Sequence, residues 1–297
     1  MYNLKKKILI TLVLFLCVVL VQKKNRENFN SSIEKKKLAF CFMIYDKIAN
    51  QEIWEKFFQK INSNNYTILI HYKENKDLGI FNKYKLDKCI DTCWGCFSLV
   101  KAQMLLMKKA LEDKNVTHCI WLSGNCLPMK HFNYIYQNLD PKFSYFNKSP
   151  DEQVFPRCDT LVKNHSLNRN IIKKAAMQSI INRKHCELIL QNTDFIEKFS
   201  GIIAADEIAF ISAIYNLKKE KELVLTPNIS FDATTYTCWP NMINHKDFDN
   251  SKKTGKPYKF SYICPEELKM VNKSKSFFGR KFDDNCGGLE PLLKIVS

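Results

Sequence analysis

The chain has 297 residues, 45% of them hydrophobic and 12% aromatic, which excludes a disordered polypeptide and leaves room for one folded domain of roughly 260 residues behind a short N-terminal segment. Its formal net charge of +16 suits an anionic partner such as nucleic acid, an anionic membrane surface or a phosphorylated ligand, although the basic residues are dispersed and form no Arg-rich helix or tail. Twelve cysteines are many for a cytosolic protein and fit a lumenal or secreted one; Cys17 lies in an apolar run, so the remaining number is odd and at least one thiol is free or paired between chains.

In chain order, Lys5, Lys6 and Lys7 precede an apolar run from Ile8 to Val21, and Lys23, Lys24 and Arg26 follow it. As a helix the run measures about 21 Å against a hydrocarbon core of about 30 Å, a mismatch that a thin bilayer and snorkelling lysines accommodate. A cleaved signal peptide is the alternative, but Cys17 to Lys23 offers no small-x-small cleavage site, which favours an uncleaved signal anchor. Lysines on both flanks leave the orientation open, and the cysteine content favours a lumenal C-terminal domain. The expected organisation is therefore a cytoplasmic tip and signal anchor over 1–24, a polar stem over 25–37 and a folded domain over 38–297, in a single-pass type II membrane protein facing the Golgi or ER lumen. N-x-S/T triplets begin at Asn30, Asn65, Asn115, Asn147, Asn164, Asn228 and Asn272, a weak signal in an Asn-rich chain.

Leu38 to Tyr45 reads as a buried strand that opens the folded domain. Ile53, Phe57, Phe58 and Ile61 give the stretch from Asn50 to Lys60 a helical spacing, and Tyr66 to His71 is a second strand. Ser98 to Leu111 predicts an amphipathic helix with Ser98 as its cap. Thr117 to Leu122 is a third strand, and helical patterns recur at Lys130–Leu139, His185–Gln191 and Asp206–Leu217. Residues Ser144 to Lys174 lack periodicity and read as long, ligand-facing loops. Alternating strands and helices predict an α/β domain with a mostly parallel central sheet.

Among motifs with chemistry, Cys89, Cys93 and Cys96 form C-x₃-C-x₂-C, without a fourth ligand at zinc spacing, so a disulfide or structural role is expected. Asp247-Phe248-Asp249 is a literal D-x-D in a polar stretch and reads as a solvated loop. Asp206 and Glu207 open a predicted helix, where carboxylates either cap the N-terminus or face a cleft as proton acceptors. Arg280 and Lys281 sit between Phe278 and Phe282, either as an ordinary basic turn or as fixed cations for a diphosphate leaving group.

These segments together resemble the core-2/I-branching β-1,6-N-acetylglucosaminyltransferase family and its plant relatives. Ile53 to Phe58 followed by Tyr66 to His71 is similar to the family's W-E-x-F-F … Y-x-I-x-V-H opening. Trp94 to Ala102 resembles its W-G-x-x-S-L-V-x-A helix start, and Leu122 to Pro128 its L-S-x-x-x-x-P turn. Gln178-Ser179 stands near the plant S-Q-W, Asp206-Glu207 matches the family's D-E, and Phe278 to Asp283 its C-terminal K-F-D. The resemblance implies a GT-A-like fold and an inverting, metal-independent transfer, with no cofactor beyond a UDP-sugar donor, to a hydroxyl of a glycan acceptor. N-acetylglucosamine is the family's common donor sugar. It implies Glu207 as general base; Lys281, Arg280, Lys259 and His71 at the donor; and Trp239, Asp206 and Arg157 at the acceptor. Departures are Lys73 where an acidic residue is usual, Gln103 in place of an acidic residue, and Ile180 in place of an aromatic one. A xylosyltransferase-like member and an inactive member that binds UDP or glycans are alternatives within the fold. A basic membrane-tethered binding protein is the alternative outside it. Nucleic acid is not expected as a partner.

Overall fold

The computed structural model of the chain describes residues 36–239 and 256–297. The predicted anchor, nearly all of the predicted stem and the Asp247-Phe248-Asp249 triplet lie outside the described residues, and no helix among those described is long and apolar enough to cross a membrane.

Strand β1 (Lys37–Ile44) is apolar at every position after Lys37, and all of those positions are buried. A strand apolar on both faces has to be covered on both, and β1 lies inside a six-stranded sheet with β2 (Tyr66–Tyr72) and β3 (Val116–Ser123) parallel on either side. Successive side chains alternate across the sheet. Leu38, Phe40, Phe42 and Ile44 enter one hydrophobic cluster, and Ala39, Cys41 and Met43 enter a second one on the other face.

Helix α1 (Gln51–Phe58) covers the first face with Ile53, Trp54, Phe57 and Phe58, the stripe that its spacing predicts. The Trp54 indole donates to the Cys126 carbonyl at 3.1 Å and stacks on Phe278 at 6.3 Å, which ties this helix to the C-terminal strands. Helix α2 (Ser98–Leu111) covers the second face with Val100, Leu106, Met107 and Ala110. Ser98 opens α2 but does not cap it, since its hydroxyl instead accepts from the Cys93 N–H at 3.2 Å and fixes the preceding loop.

The short β4 (Leu127–Pro128) and α3 (Phe132–Asn138) follow β3. The turn between β3 and β4 admits only glycine at 124, because a Cβ there would lie 2.2 Å from the Lys47 carbonyl oxygen. The region expected to be loop contains β5 (Ser144–Lys148) and α4 (Asp159–His165). Strand β5 was hidden by its polar residues. Asn147 is buried there with its amide donating to the Thr235 carbonyl and its oxygen accepting from Thr226 and the Thr234 N–H.

Strand β6 (Ile180–Asn182) leads into α5 (Arg183–Gln191), where the Asn182 side chain accepts from the His185 N–H, and then α6 (Thr193–Glu197). Helix α7 (Ala209–Asn216) precedes the edge strand β7 (Leu223–Pro227). The sheet order is β2-β1-β3-β6-β5-β7, with β6 antiparallel to both neighbours and every other pairing parallel. The sheet is therefore mostly parallel, as expected, and is made mixed by one reversed strand, β6. A three-residue strand carries no alternation from which its direction, or even its existence, can be read.

The C-terminal part adds β8 (Thr235–Thr237), β9 (Phe260–Tyr262), α8 (Pro265–Lys273), β10 (Phe278–Arg280), β11 (Phe282–Gly287) and α9 (Glu290–Val296). Strand β10 pairs parallel with β8 and antiparallel with β4, while β11 pairs parallel with β9. This packing carries the segment around residue 280 back to the turn that follows β3.

Candidate active site

A cleft of about 400 Å³ opens where β1, β2 and β3 end, lined there by Tyr45, His71, Lys73, Ser123 and Asn125. The carboxyl ends of parallel strands are the usual binding edge of an α/β sheet. Further groups of residues line it: Asp206 and Glu207 from the turn before α7, Gln178, Arg280 and Lys281, and the loop from Thr92 to Gly95.

The carboxylates do not open a helix running to Leu217, as their spacing suggests. Residues Ala205–Glu207 form one 3₁₀ turn, α7 starts after it, and neither carboxylate caps α7. The turn is pinned at both ends. Ala204, in a left-handed conformation with φ 55°, donates its N–H to the Gly95 carbonyl at 2.8 Å, and the Glu207 carbonyl accepts from Ala175 at 2.8 Å. The neighbouring segment is held by α7 itself, whose Ser212 hydroxyl accepts from the Lys173 N–H at 3.0 Å. Lys174 is thereby placed with its ammonium 3.3 Å from Glu207 Oε2, its side chain only 12% exposed. Arg157 approaches the same oxygen at 3.8 Å and donates to the Ile203 carbonyl at 3.3 Å. Both ion pairs use Oε2, which leaves Oε1 to the cleft.

Asp206 has a carboxyl oxygen, Oδ1, that is buried and without a hydrogen-bonding partner among the described residues. Burial, reinforced by the adjacent Glu207 charge, pushes its carboxyl up to about 7. It therefore titrates near neutrality and can donate or accept a hydrogen bond at the cleft surface.

The cations are held by backbone pairing. Arg280 ends β10; the Lys281 carbonyl accepts from the Phe260 N–H at 2.7 Å, and the Phe282 N–H donates to the Asn125 carbonyl at 3.0 Å. Arg280 donates to Gln178 Oε1 at 2.9 Å, and its Nε has no partner among the described residues. Burial lowers the affinity of Arg280 for its proton. Burial also lowers the Lys281 ammonium, assisted by Arg280, Lys256 and Lys259 nearby. Neither Arg280 nor Lys281 forms an ion pair among the described residues. Unpaired, partly desolvated cations of this kind bind an anion without first breaking an internal salt bridge.

His71 is buried, with Nε2 accepting from the Ile90 N–H at 2.9 Å, and burial lowers its basicity; it lines the cleft as a neutral ring. Lys73, standing where an acidic residue was expected, donates to the Thr92 carbonyl at 2.6 Å and lies 3.9 Å from Asp91. Lys259 does not line the cleft and is ion-paired with Asp283. Trp239 is half-buried and does not line the cleft either. Aromatic side chains at the cleft are instead Tyr45 and Trp94, the latter 89% exposed in the loop closed by a Cys93–Cys96 disulfide. Sequence reasoning did not single out Lys174, Gln178 or Trp94 as site residues. Gln178 and Trp94 lay inside quoted motifs, whereas Lys174 stood in a stretch without periodicity. Among the described residues no three metal-ligating side chains come together.

A carboxylate and unpaired cations converging on a cleft at the strand ends of an α/β sheet define a site suited to an anionic leaving group and a hydroxyl nucleophile. The chain belongs to the core-2/I-branching enzyme family, whose model matches residues 38–272. It is also similar to glycosyltransferase BC10 of Oryza sativa subsp. japonica, at 22% identity over 174 residues. That match covers 55% of this chain and 42% of the rice protein, so it spans well under half of that relative. The mixed α/β sheet flanked by helices fits a GT-A-like fold.

Proposed function

We propose that this chain is an inverting glycosyltransferase that moves a sugar from a UDP-sugar to a hydroxyl of a glycan acceptor, with N-acetylglucosamine as the first donor sugar to test. The observation that carries the reading is the shared cleft: Glu207 and the unpaired cations Arg280 and Lys281 line the same cavity.

Glu207 Oε1 takes the proton from the acceptor hydroxyl as its oxygen attacks the anomeric carbon. The bond between that carbon and the β-phosphate oxygen breaks on the opposite face, and the electron pair leaves with UDP. Lys174 and Arg157 fix the carboxylate through Oε2, while Arg280, braced by Gln178, and Lys281 neutralise the charge that grows on the diphosphate. General-base assistance of this kind contributes about 10²–10⁴-fold. Asp206 is placed to hydrogen-bond the acceptor. The side-chain cations take the part that a divalent ion plays elsewhere, so no metal is required. In this reading the enzyme is anchored by residues 8–21 and faces the Golgi or ER lumen.

The test is transfer by the purified protein across a panel of UDP-sugars, UDP-N-acetylglucosamine and UDP-xylose among them, in the presence of EDTA. One donor is expected to yield a glycan product at full rate. A strict Mn²⁺ requirement would shift the diphosphate role to Asp247 and Asp249. UDP binding without transfer from any donor would mark an inactive member.

A further inference from the structure

Cys93-Trp94-Gly95-Cys96 is a C-x-x-C sequence whose sulfurs are joined, and it forms part of the cleft lining through Cys93, Trp94 and Gly95. We infer that this pair is a reversible thiol–disulfide exchange site, open to a protein dithiol, whose reduction loosens the cleft.

Three features separate this bond from a structural staple. The loop it closes is four residues long, with a sequence separation of 3, and loop-closure stabilisation is smallest for so short a loop. Cys93 is exposed and Cys96 half-buried, whereas most of the other described cysteines are buried free thiols. An incoming thiolate therefore has access to Cys93. Finally, the pair lies beside a helix N-terminus and near a lysine. The pair immediately precedes the fourteen-residue α2, whose N-terminal end favours negative charge, and the Lys73 ammonium is bonded to the carbonyl of Thr92, the residue before Cys93. The Ser98 hydroxyl also accepts from the Cys93 N–H, so the first turn of α2 holds the attacked residue in place.

The exchange balances as follows. A thiolate of the reducing dithiol attacks Cys93 Sγ, the Cys93–Cys96 bond breaks, and Cys96 leaves as a thiolate that takes up a proton. The second thiol of the reductant then attacks the mixed disulfide, releasing Cys93 as its thiol and the reductant as a disulfide. Two electrons and two protons pass to the pair. Its consequence for the cleft rests on the glycosyltransferase reading. The loop carries Trp94 and, through the Gly95 carbonyl, holds Ala204 at the head of the turn that bears Asp206 and Glu207. Releasing the cross-link frees the Gly95 end of that contact.

The full-length folded protein is incubated with thioredoxin, its reductase and NADPH, then alkylated and mapped by mass spectrometry while circular dichroism monitors the fold. Two new alkylated thiols on the Cys93–Cys96 peptide, with the fold intact, are expected. Tryptophan fluorescence should rise in step, as the indole loses its neighbouring disulfide quencher, and Trp94→Phe should abolish the rise. A bond that opens only in denaturant would overturn the proposal. UDP titration of the two forms reads the coupling: the dissociation constant should rise at least about threefold on reduction, and equal values would overturn it. If neither form binds UDP, the transferase reading fails while the alkylation result still decides the exchange site.

Discussion

Glu207 meets two cations beside its own turn, Lys174 at 3.3 Å and Arg157 at 3.8 Å, whereas Arg280 and Lys281 meet no carboxylate among the described residues and hold their protons less tightly because of burial. The first region is ion-paired and geometrically fixed, as a group needs to be if it is to act repeatedly in one orientation. The second is left electrostatically unsatisfied, as a group needs to be if its counter-ion arrives with the substrate. Two regions of one cleft thus separate positioning from binding, and substitutions in each should fail in different ways.

The largest effect is expected at the carboxylate. Glu207→Gln keeps the shape and removes the proton acceptor, so turnover should fall about 10²–10⁴-fold with the donor KM little changed. Near-normal turnover in a steady-state assay would end the assignment. Lys281→Ala should act on affinity as well as rate. A lost charged hydrogen bond contributes about 1.5–3 kcal/mol, so the donor KM should rise roughly tenfold or more.

Asp206 gives a prediction in stability rather than catalysis. Its folded carboxyl, near 7, lies above the unfolded value of 3.8, so the folded state binds more protons across that interval. The stabilisation is present below the unfolded value and is lost as pH rises through about 7. Asp206→Asn should therefore raise Tm relative to wild type at pH 8 and give no such gain at pH 4, read by thermal melts at both pH values. The smallest effect is expected at Lys259, which is exposed and paired with Asp283 away from the cleft lining. Lys259→Ala should change the donor KM by less than about twofold, and a tenfold rise would place that ammonium on the diphosphate after all.

Strands β1, β2 and β3 and helices α1 and α2 were legible because they are long, strongly patterned and end at recognisable turns. Strand β5 was not, since Asn147 is a buried amide satisfied by residues almost eighty positions or more away, and no local pattern reports that. That Glu207 and Lys281 share a cleft was legible through motif resemblance, not through spacing, which left capping and a cleft-facing role both open for the carboxylates. The 3₁₀ turn depends on Ala204 bonding to Gly95, a contact between distant segments. Lys174 was illegible for the same reason: its approach to Glu207 exists only once Ser212 and Glu207 hold its segment. Lys259 and Trp239 were carried over by position along the chain, and chain position does not say which way a side chain faces.

The central claim is that one bound nucleotide-sugar is served by both regions at once. Calorimetric titration of UDP into wild type, Glu207→Gln and Lys281→Ala tests it most directly. The account predicts unchanged affinity for Glu207→Gln and a loss of roughly tenfold or more for Lys281→Ala; equal affinity in all three proteins would contradict it.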